Sequence, residues 1–196
     1  GAFPLGTVYS EPSIFAVEEY NHLIAATGRY GYLLVSGSDG FEQWSYYLPD
    51  GTDASPTIDP ASGNIYLACG WNNIYIAGFD INGNQLWDEP YFQVFDTAED
   101  TLAPQHAIAS GCLSHDGAVY YFQTVAQDGS GKLYAINTSD GSVRWIYDTE
   151  SKGWEGHYSS PIITADNIII VGNNDNGRYF AIADNGQDDA VLLDTF

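Results

Sequence analysis

The residues of this chain best suited to hold a cation lie in two Asn/Asp/Gly turns, Asp80-Ile81-Asn82-Gly83-Asn84 and Asn173-Asn174-Asp175-Asn176-Gly177. In each, oxygen-bearing side chains recur two positions apart around a glycine, the spacing with which a calcium loop presents its first ligands. Neither turn is followed by the bidentate glutamate that completes such a loop, and Asp, Asn and Gly are also what a tight hairpin demands. The turn at Asp80 is therefore read as a hairpin, and Asn173 with Asp175 as the candidate metal site; calcium is the ion that fits, and no other cofactor is expected. His106 and His157 are a second pair to weigh. Both precede the first strand of a repeat, so they could share a metal or titrate together near a common axis. No third ligand stands at fixed spacing from them, and a histidine before a turn is more often a hydrogen-bonded surface residue. Nucleophile-elbow, zinc-protease, phosphate-loop and dinucleotide motifs are absent from the sequence.

The elements that would position these groups are set out by a repeated frame. Residues 135–145 read AINTSDGSVRW, and the same frame returns as AGFDINGNQLW over 77–87 and LVSGSDGFEQW over 34–44. Each copy has a turn glycine (Gly40, Gly83, Gly141) and a tryptophan four residues later (Trp44, Trp87, Trp145). A fourth copy, at Asn185-Gly186, has Ala190 where the tryptophan would fall. Recurrence at roughly 40 to 60 residues, in a chain of short aromatic and β-branched segments divided by Gly, Asn and Asp, marks an array of sheet repeats. Helical periodicity is missing. The chain is predicted to be all-β, one propeller domain over 1–196 with four four-stranded antiparallel blades in repeats at approximately 7–51, 52–105, 106–156 and 157–196. In the second repeat the fourth strand is predicted over 85–87, with an acidic, aromatic insertion at 88–105. A tryptophan just past a tight hairpin on an outer strand covers the seam to the next blade, so Trp44, Trp87 and Trp145 are assigned as inter-blade residues.

The frame resembles the tryptophan-docking repeat of the PQQ-like (quinoprotein alcohol dehydrogenase-like) β-propellers, whose form is AxDxxTGxxxW. Ala77, Asp80, Gly83 and Trp87 match it, as do Ala135, Gly141 and Trp145 with Asn137 in the aspartate place. Ser159-Ser160-Pro161 and Asp116-Gly117-Ala118-Val119-Tyr120 match its other parts. The resemblance implies rings that usually have eight blades, so the chain is a four-bladed ring or half of an eight-bladed one. It also implies a family of quinone-dependent dehydrogenases, outer-membrane assembly lipoproteins and exported scaffolds. Its enzymes sandwich the quinone against a disulfide of adjacent cysteines, with calcium beside it; here Cys69 and Cys112 stand far apart, and five basic residues leave little to hold a tricarboxylate. Two distant cysteines form a disulfide only if the fold brings them together.

The remaining function classes are narrowed by charge. With 26 acidic against 5 basic residues, the net charge is −21, which repels phosphate backbones and anionic membranes and argues against nucleic acid as a partner. No apolar run approaches the roughly 20 residues of a membrane-spanning helix, so membrane insertion is not expected. A chain that begins with Gly and holds no Met is read as a processed mature protein, a trimmed one or a fragment. In a blade, the connections from strand two to three and from strand four to the next blade emerge on one face. That face collects Arg29, Tyr30, Trp71, Asn72, Asn73, Tyr91, Phe92, Trp154, His157 and Tyr179. Exposed aromatics beside acids and amides suit protein or carbohydrate contact. The expectation is a non-catalytic, exported scaffold, extracellular, on the cell surface or periplasmic, whose partners are proteins or further copies of itself in a homo-oligomer or filament. The alternatives are a calcium- or quinone-dependent dehydrogenase-like half-propeller and a carbohydrate-binding propeller.

Overall fold

The computed structural model describes residues 12–15, 23–71, 74–87, 91–93, 105–126, 129–152, 159–173, 177–186 and 189–196, with 91–93 and 105 as backbone alone. Within them the chain forms four four-stranded antiparallel sheets, each a meander in chain order. The first blade holds β1 (Ser13–Phe15), β2 (Leu23–Gly28), β3 (Tyr32–Ser36) and β4 (Glu42–Tyr47). The second holds β5 (Thr57–Ile58), β6 (Ile65–Cys69), β7 (Tyr75–Phe79) and β8 (Tyr91–Gln93). A short ribbon pairs β9 (Gln105–His106) with β12 (Val125–Ala126), beside the third blade of β10 (Cys112–Leu113), β11 (Val119–Gln123), β13 (Gly131–Asn137) and β14 (Val143–Ser151). The fourth is β15 (Ile162–Ile163), β16 (Ile168–Gly172), β17 (Tyr179–Asp184) and β18 (Ala190–Thr195).

Strands β6 and β11 are buried along their whole length, because each lies mid-sheet with a neighbouring blade on either face. Alternate residues consequently feed different seams. Leu67, Ala77 and Phe79 join Leu33 and Leu48 between blades 1 and 2, and Phe15, Leu23, Val35 and Ile65 extend that seam inward. Tyr66, Ala68 and Ile76 meet Tyr120, Phe122, Tyr134 and Ile136 between blades 2 and 3, where Phe122 and Tyr134 stack at 5.0 Å. Val119, Tyr121, Leu133 and Ala135 meet Ile169, Val171, Phe180 and Ile182 between blades 3 and 4. Among the described residues no such cluster spans blades 4 and 1.

The hairpin ahead of each outer strand turns on a glycine at positive φ, 85° at Gly83 and 75° at Gly141, which a side chain would strain. In the second blade the outer strand departs from the predicted 85–87. Gln85 makes a lone bridge to Phe79, Trp87 then leaves the ladder, and pairing resumes at β8, with Tyr91 opposite Ala77 and Phe92 opposite Ile76. The reason is steric: Gly78 has no side chain, and the Trp87 ring lies against the backbone there, 3.0 Å from where a Cβ would stand. Tyr91 and Phe92, predicted in a loop, thus belong to a strand.

Candidate functional site

Three tryptophans bind the blades together, and they do so unequally. Trp44 donates its indole N–H to the Ile81 carbonyl at 3.0 Å and Trp87 to that of Thr138 at 3.1 Å, each acceptor being the residue after the Asp or Asn of the next blade's turn. Trp145 is as buried as Trp87, yet its N–H has no acceptor among the described residues. In the fourth turn, at Asp184-Asn185-Gly186, Gly186 N–H donates to the Asp184 carboxylate at 2.9 Å. That carboxylate does the work of the missing clasp. Its Oδ2 accepts from Tyr121 at 2.8 Å and pairs with Arg144 Nε at 3.3 Å, so an ion pair and a phenol close the third seam. Burial, and then the bond to Asp184, push the Tyr121 phenol well above its usual range, so it remains a donor. The sequence trace of this cluster is an aspartate two residues before the glycine of the copy whose tryptophan is gone.

The opposite end of the blades carries the patch of greatest chemical variety. Arg29 sits in the turn between β2 and β3, and its guanidinium lies over the Trp71 ring at 4.9 Å while Nε faces Asp53 at 4.0 Å. The connection from blade 1 to blade 2 holds Trp71 in place: Asp50 accepts from Gly51 N at 2.7 Å and from Trp71 N at 2.9 Å. Gly51 is required there, because a Cβ would overlap the Arg29 carbonyl and come within 2.6 Å of the Trp71 indole nitrogen. On its far side Trp71 meets His106 edge-on at 6.2 Å. One constellation therefore runs from blade 1 to the ribbon beside blade 3, with Tyr30 fully displayed next to it at 76% exposure. Asp50, Asp53 and Gly51 were not singled out in the sequence; the run Asp50-Gly51-Thr52-Asp53 after a strand is the only signal they leave.

The other predicted residues fall variously. His106 is buried in this contact. Tyr179 is exposed on blade 4 and stacks on Phe196 at 6.0 Å, apart from Trp71. Asn173 is buried and its amide donates to the carbonyls of Thr149 at 2.8 Å and Glu150 at 2.9 Å, holding Glu150 at a φ of 51°. It is a backbone clamp in this fold. Asp80 likewise serves its own turn: burial opposes its ionisation, but hydrogen bonds from Asn84 and Asn82 outweigh that and keep its carboxyl below the usual range. Asn72, Asn73, Trp154, His157 and Asp175 lie outside the described residues, as do the side chains of Tyr91 and Phe92. Among the described residues no three His, Cys, Asp or Glu side chains group as a metal site, and no helix is long and apolar enough to cross a membrane.

Cys69 and Cys112 are separate free thiols, one in the first seam and one in the third. Burial pushes both up to about 12, which leaves roughly one in 10⁴ as thiolate at pH 8. Iodoacetamide at pH 8 is therefore expected to label neither in the folded chain and both in guanidinium, as counted by intact mass. Rapid labelling of either cysteine under native conditions would contradict the burial.

Residues 72–189, more than half of the chain, match the model of a family described as outer membrane protein assembly factor BamB. No curated protein matches the chain in sequence. Among solved structures, a protein of unknown function from Bacteroides caccae is similar over 96% of the chain at 15% identity and a TM-score of 0.57. BamB from Moraxella catarrhalis is similar over 95% at 17% and 0.59, and a quinohemoprotein alcohol dehydrogenase from Pseudomonas putida HK5 over the full chain at 13% and 0.68. At such identities the likeness establishes the fold alone. The chain spans 60%, 50% and 34% of those three structures.

Proposed function

The chain belongs to the PQQ-like propeller family described as outer membrane protein assembly factor BamB, and from that premise we propose that it is a non-catalytic, exported scaffold that binds proteins at the cell envelope, further copies of itself among them. The observation that carries this is the clamped patch over the first seam, where Asp50 and Gly51 fix Trp71 beneath Arg29 and next to exposed Tyr30. A rigid aromatic and a guanidinium presented together, already ordered before contact, are the usual anchors of a protein interface. In a chain of net charge −21, a guanidinium set among aromatics and Asp53 also favours a partner surface that does not add repulsion.

The quinone reading finds no matching cradle among the described residues. Arg29, Arg144 and Arg178 are each engaged with a carboxylate of the chain, Asp53, Asp184 and Glu150, and the two cysteines sit in different seams. A tricarboxylate would have to displace those pairs.

The test is a photo-crosslinking amino acid in place of Tyr30, exposed to an envelope extract. Discrete protein adducts are expected, and Trp71→Ala should reduce them at least tenfold while leaving the melting curve within a few degrees of the parent. Adducts unchanged by Trp71→Ala, or dye-linked alcohol oxidation after adding pyrroloquinoline quinone and calcium, would sink the proposal.

A further inference from the structure

An asparagine precedes a glycine at three places in the chain, Asn82-Gly83, Asn176-Gly177 and Asn185-Gly186. Such a step is chemically special because glycine has no Cβ to shield its backbone nitrogen from the side-chain amide just before it. Asn176 lies outside the described residues. Asn82 and Asn185 are both exposed in the hairpins ahead of an outer strand, each followed by a glycine at positive φ, 85° at Gly83 and 75° at Gly186. The two steps differ in what surrounds the glycine.

Gly83 lies beneath the indole of the preceding blade: a Cβ there would stand 2.7 Å from the Trp44 ring, whose N–H is bonded to Ile81 in the same turn. Its own N–H donates to the Asp80 carbonyl at 3.0 Å, and a peptide carbonyl is no base. Trp145 gives Gly186 no such cover. Among the described residues, the one atom near the place of a Gly186 Cβ is an Arg144 guanidinium nitrogen, at 3.5 Å. The Gly186 N–H donates at 2.9 Å to Oδ1 of Asp184, whose Oδ2 holds Tyr121 and Arg144. A blade packed on the forward side does not close such a turn, since a Cβ at Gly40, with blade 2 in place ahead of it, would meet nothing within 4 Å. The fourth turn thus brings together an open amide, a nitrogen whose proton points at a carboxylate within the reach of a general base, and a cation beside that nitrogen.

We propose that Asn185 is a site of self-modification, where Gly186 N attacks the Asn185 side-chain amide and the asparagine becomes a carboxylate. The bond from Gly186 N to Asn185 Cγ forms, the Cγ–Nδ2 bond breaks and ammonia leaves. The proton lost by Gly186 N passes to Asp184 Oδ1 and from there to the departing nitrogen. Water then opens the cyclic imide at one of its two carbonyls, giving aspartate, or isoaspartate with the backbone running through the side chain. No group is oxidised or reduced. Arg144 stabilises the negative charge that develops as the proton leaves. Either product adds a charge to the turn that carries Asp184, so the reaction reaches the clasp of the third seam. The inference goes beyond the scaffold reading and does not depend on the Trp71 patch.

The test is to hold the folded chain at mildly alkaline pH and to map its peptides by mass spectrometry at intervals, which reads each asparagine separately. Asn185 is expected to convert several-fold faster than Asn82. In guanidinium, where neither Trp44 nor Asp184 is in place, the two rates should draw level. Asp184→Ala should slow conversion at Asn185 in the folded chain, whereas a variant that acted only by loosening the seam would speed it. Equal rates at Asn82 and Asn185 in the folded parent chain, a comparison that needs no variant, would overturn the inference. So would a rate at Asn185 that Asp184→Ala leaves unchanged or raises.

Discussion

Replacing Trp87 by Ala is expected to lower the unfolding free energy by about 3–5 kcal/mol, the range for removing a buried aromatic side chain that leaves a cavity. The side chain is buried between blades 2 and 3, tilted on Tyr66 at 6.2 Å and laid on the backbone at Gly78. Its indole N–H reaches the Thr138 carbonyl in the next blade, so the substitution also deprives that carbonyl of its donor. Trp145→Ala removes a comparable area in the third seam but no hydrogen bond, because that N–H has no acceptor among the described residues. It should cost less by about 1 kcal/mol, the net worth of one such bond. Urea denaturation followed by circular dichroism reads both. Equal losses would show that the indole clasp contributes nothing and that burial alone holds the seams.

Asp184→Ala is the second large effect, about 2–4 kcal/mol, below the full figure for breaking a buried pair because Arg144 keeps partial access to water. The variant leaves a guanidinium and the Tyr121 hydroxyl facing a void where both had met one carboxylate. A double variant, Arg144→Met with Asp184→Leu, should recover most of the loss, since an apolar pair of similar volume needs no partner. The phenol supplies an independent readout. With Asp184 gone, Tyr121 should ionise at lower pH in an ultraviolet titration, though still above a free tyrosine, because burial is the larger cause of its shift. A loss below about 0.5 kcal/mol, with an unmoved phenol, would mean that the pair merely accompanies a seam closed by its apolar residues.

Much of the fold was legible because each repeat announces itself locally. A glycine that must take positive φ, followed by an aromatic at fixed distance, encodes a hairpin and its outer strand within a dozen residues. Segments such as Ile65–Cys69 and Val119–Gln123 declare mid-sheet strands by being apolar throughout. For the edge of β7 the sequence pointed to 85–87, whereas the fold pairs Tyr91–Gln93 there. The choice followed from where the Trp87 ring could lie on Gly78, a contact within one blade that only the packed sheet displays.

The candidate site was legible as a face and not as a set of contacts. Sequence spacing made Asn173 look like an oxygen ligand, whereas the fold turns its amide onto the carbonyls of Thr149 and Glu150. It made Trp71 an exposed anchor without showing that Asp50 and Gly51 clamp it, or that Arg29 covers it. The meeting of Asp184 with Tyr121 and Arg144 left one trace, an aspartate in a worn motif. By itself the sequence determined the repeating unit, its four strands and the number of units, because those depend on interactions within roughly 40 to 60 residues of chain. Which side chains meet across the seams was decided only by the tertiary structure. Those outcomes depend on how one blade is rotated against the next, and no single repeat carries that angle.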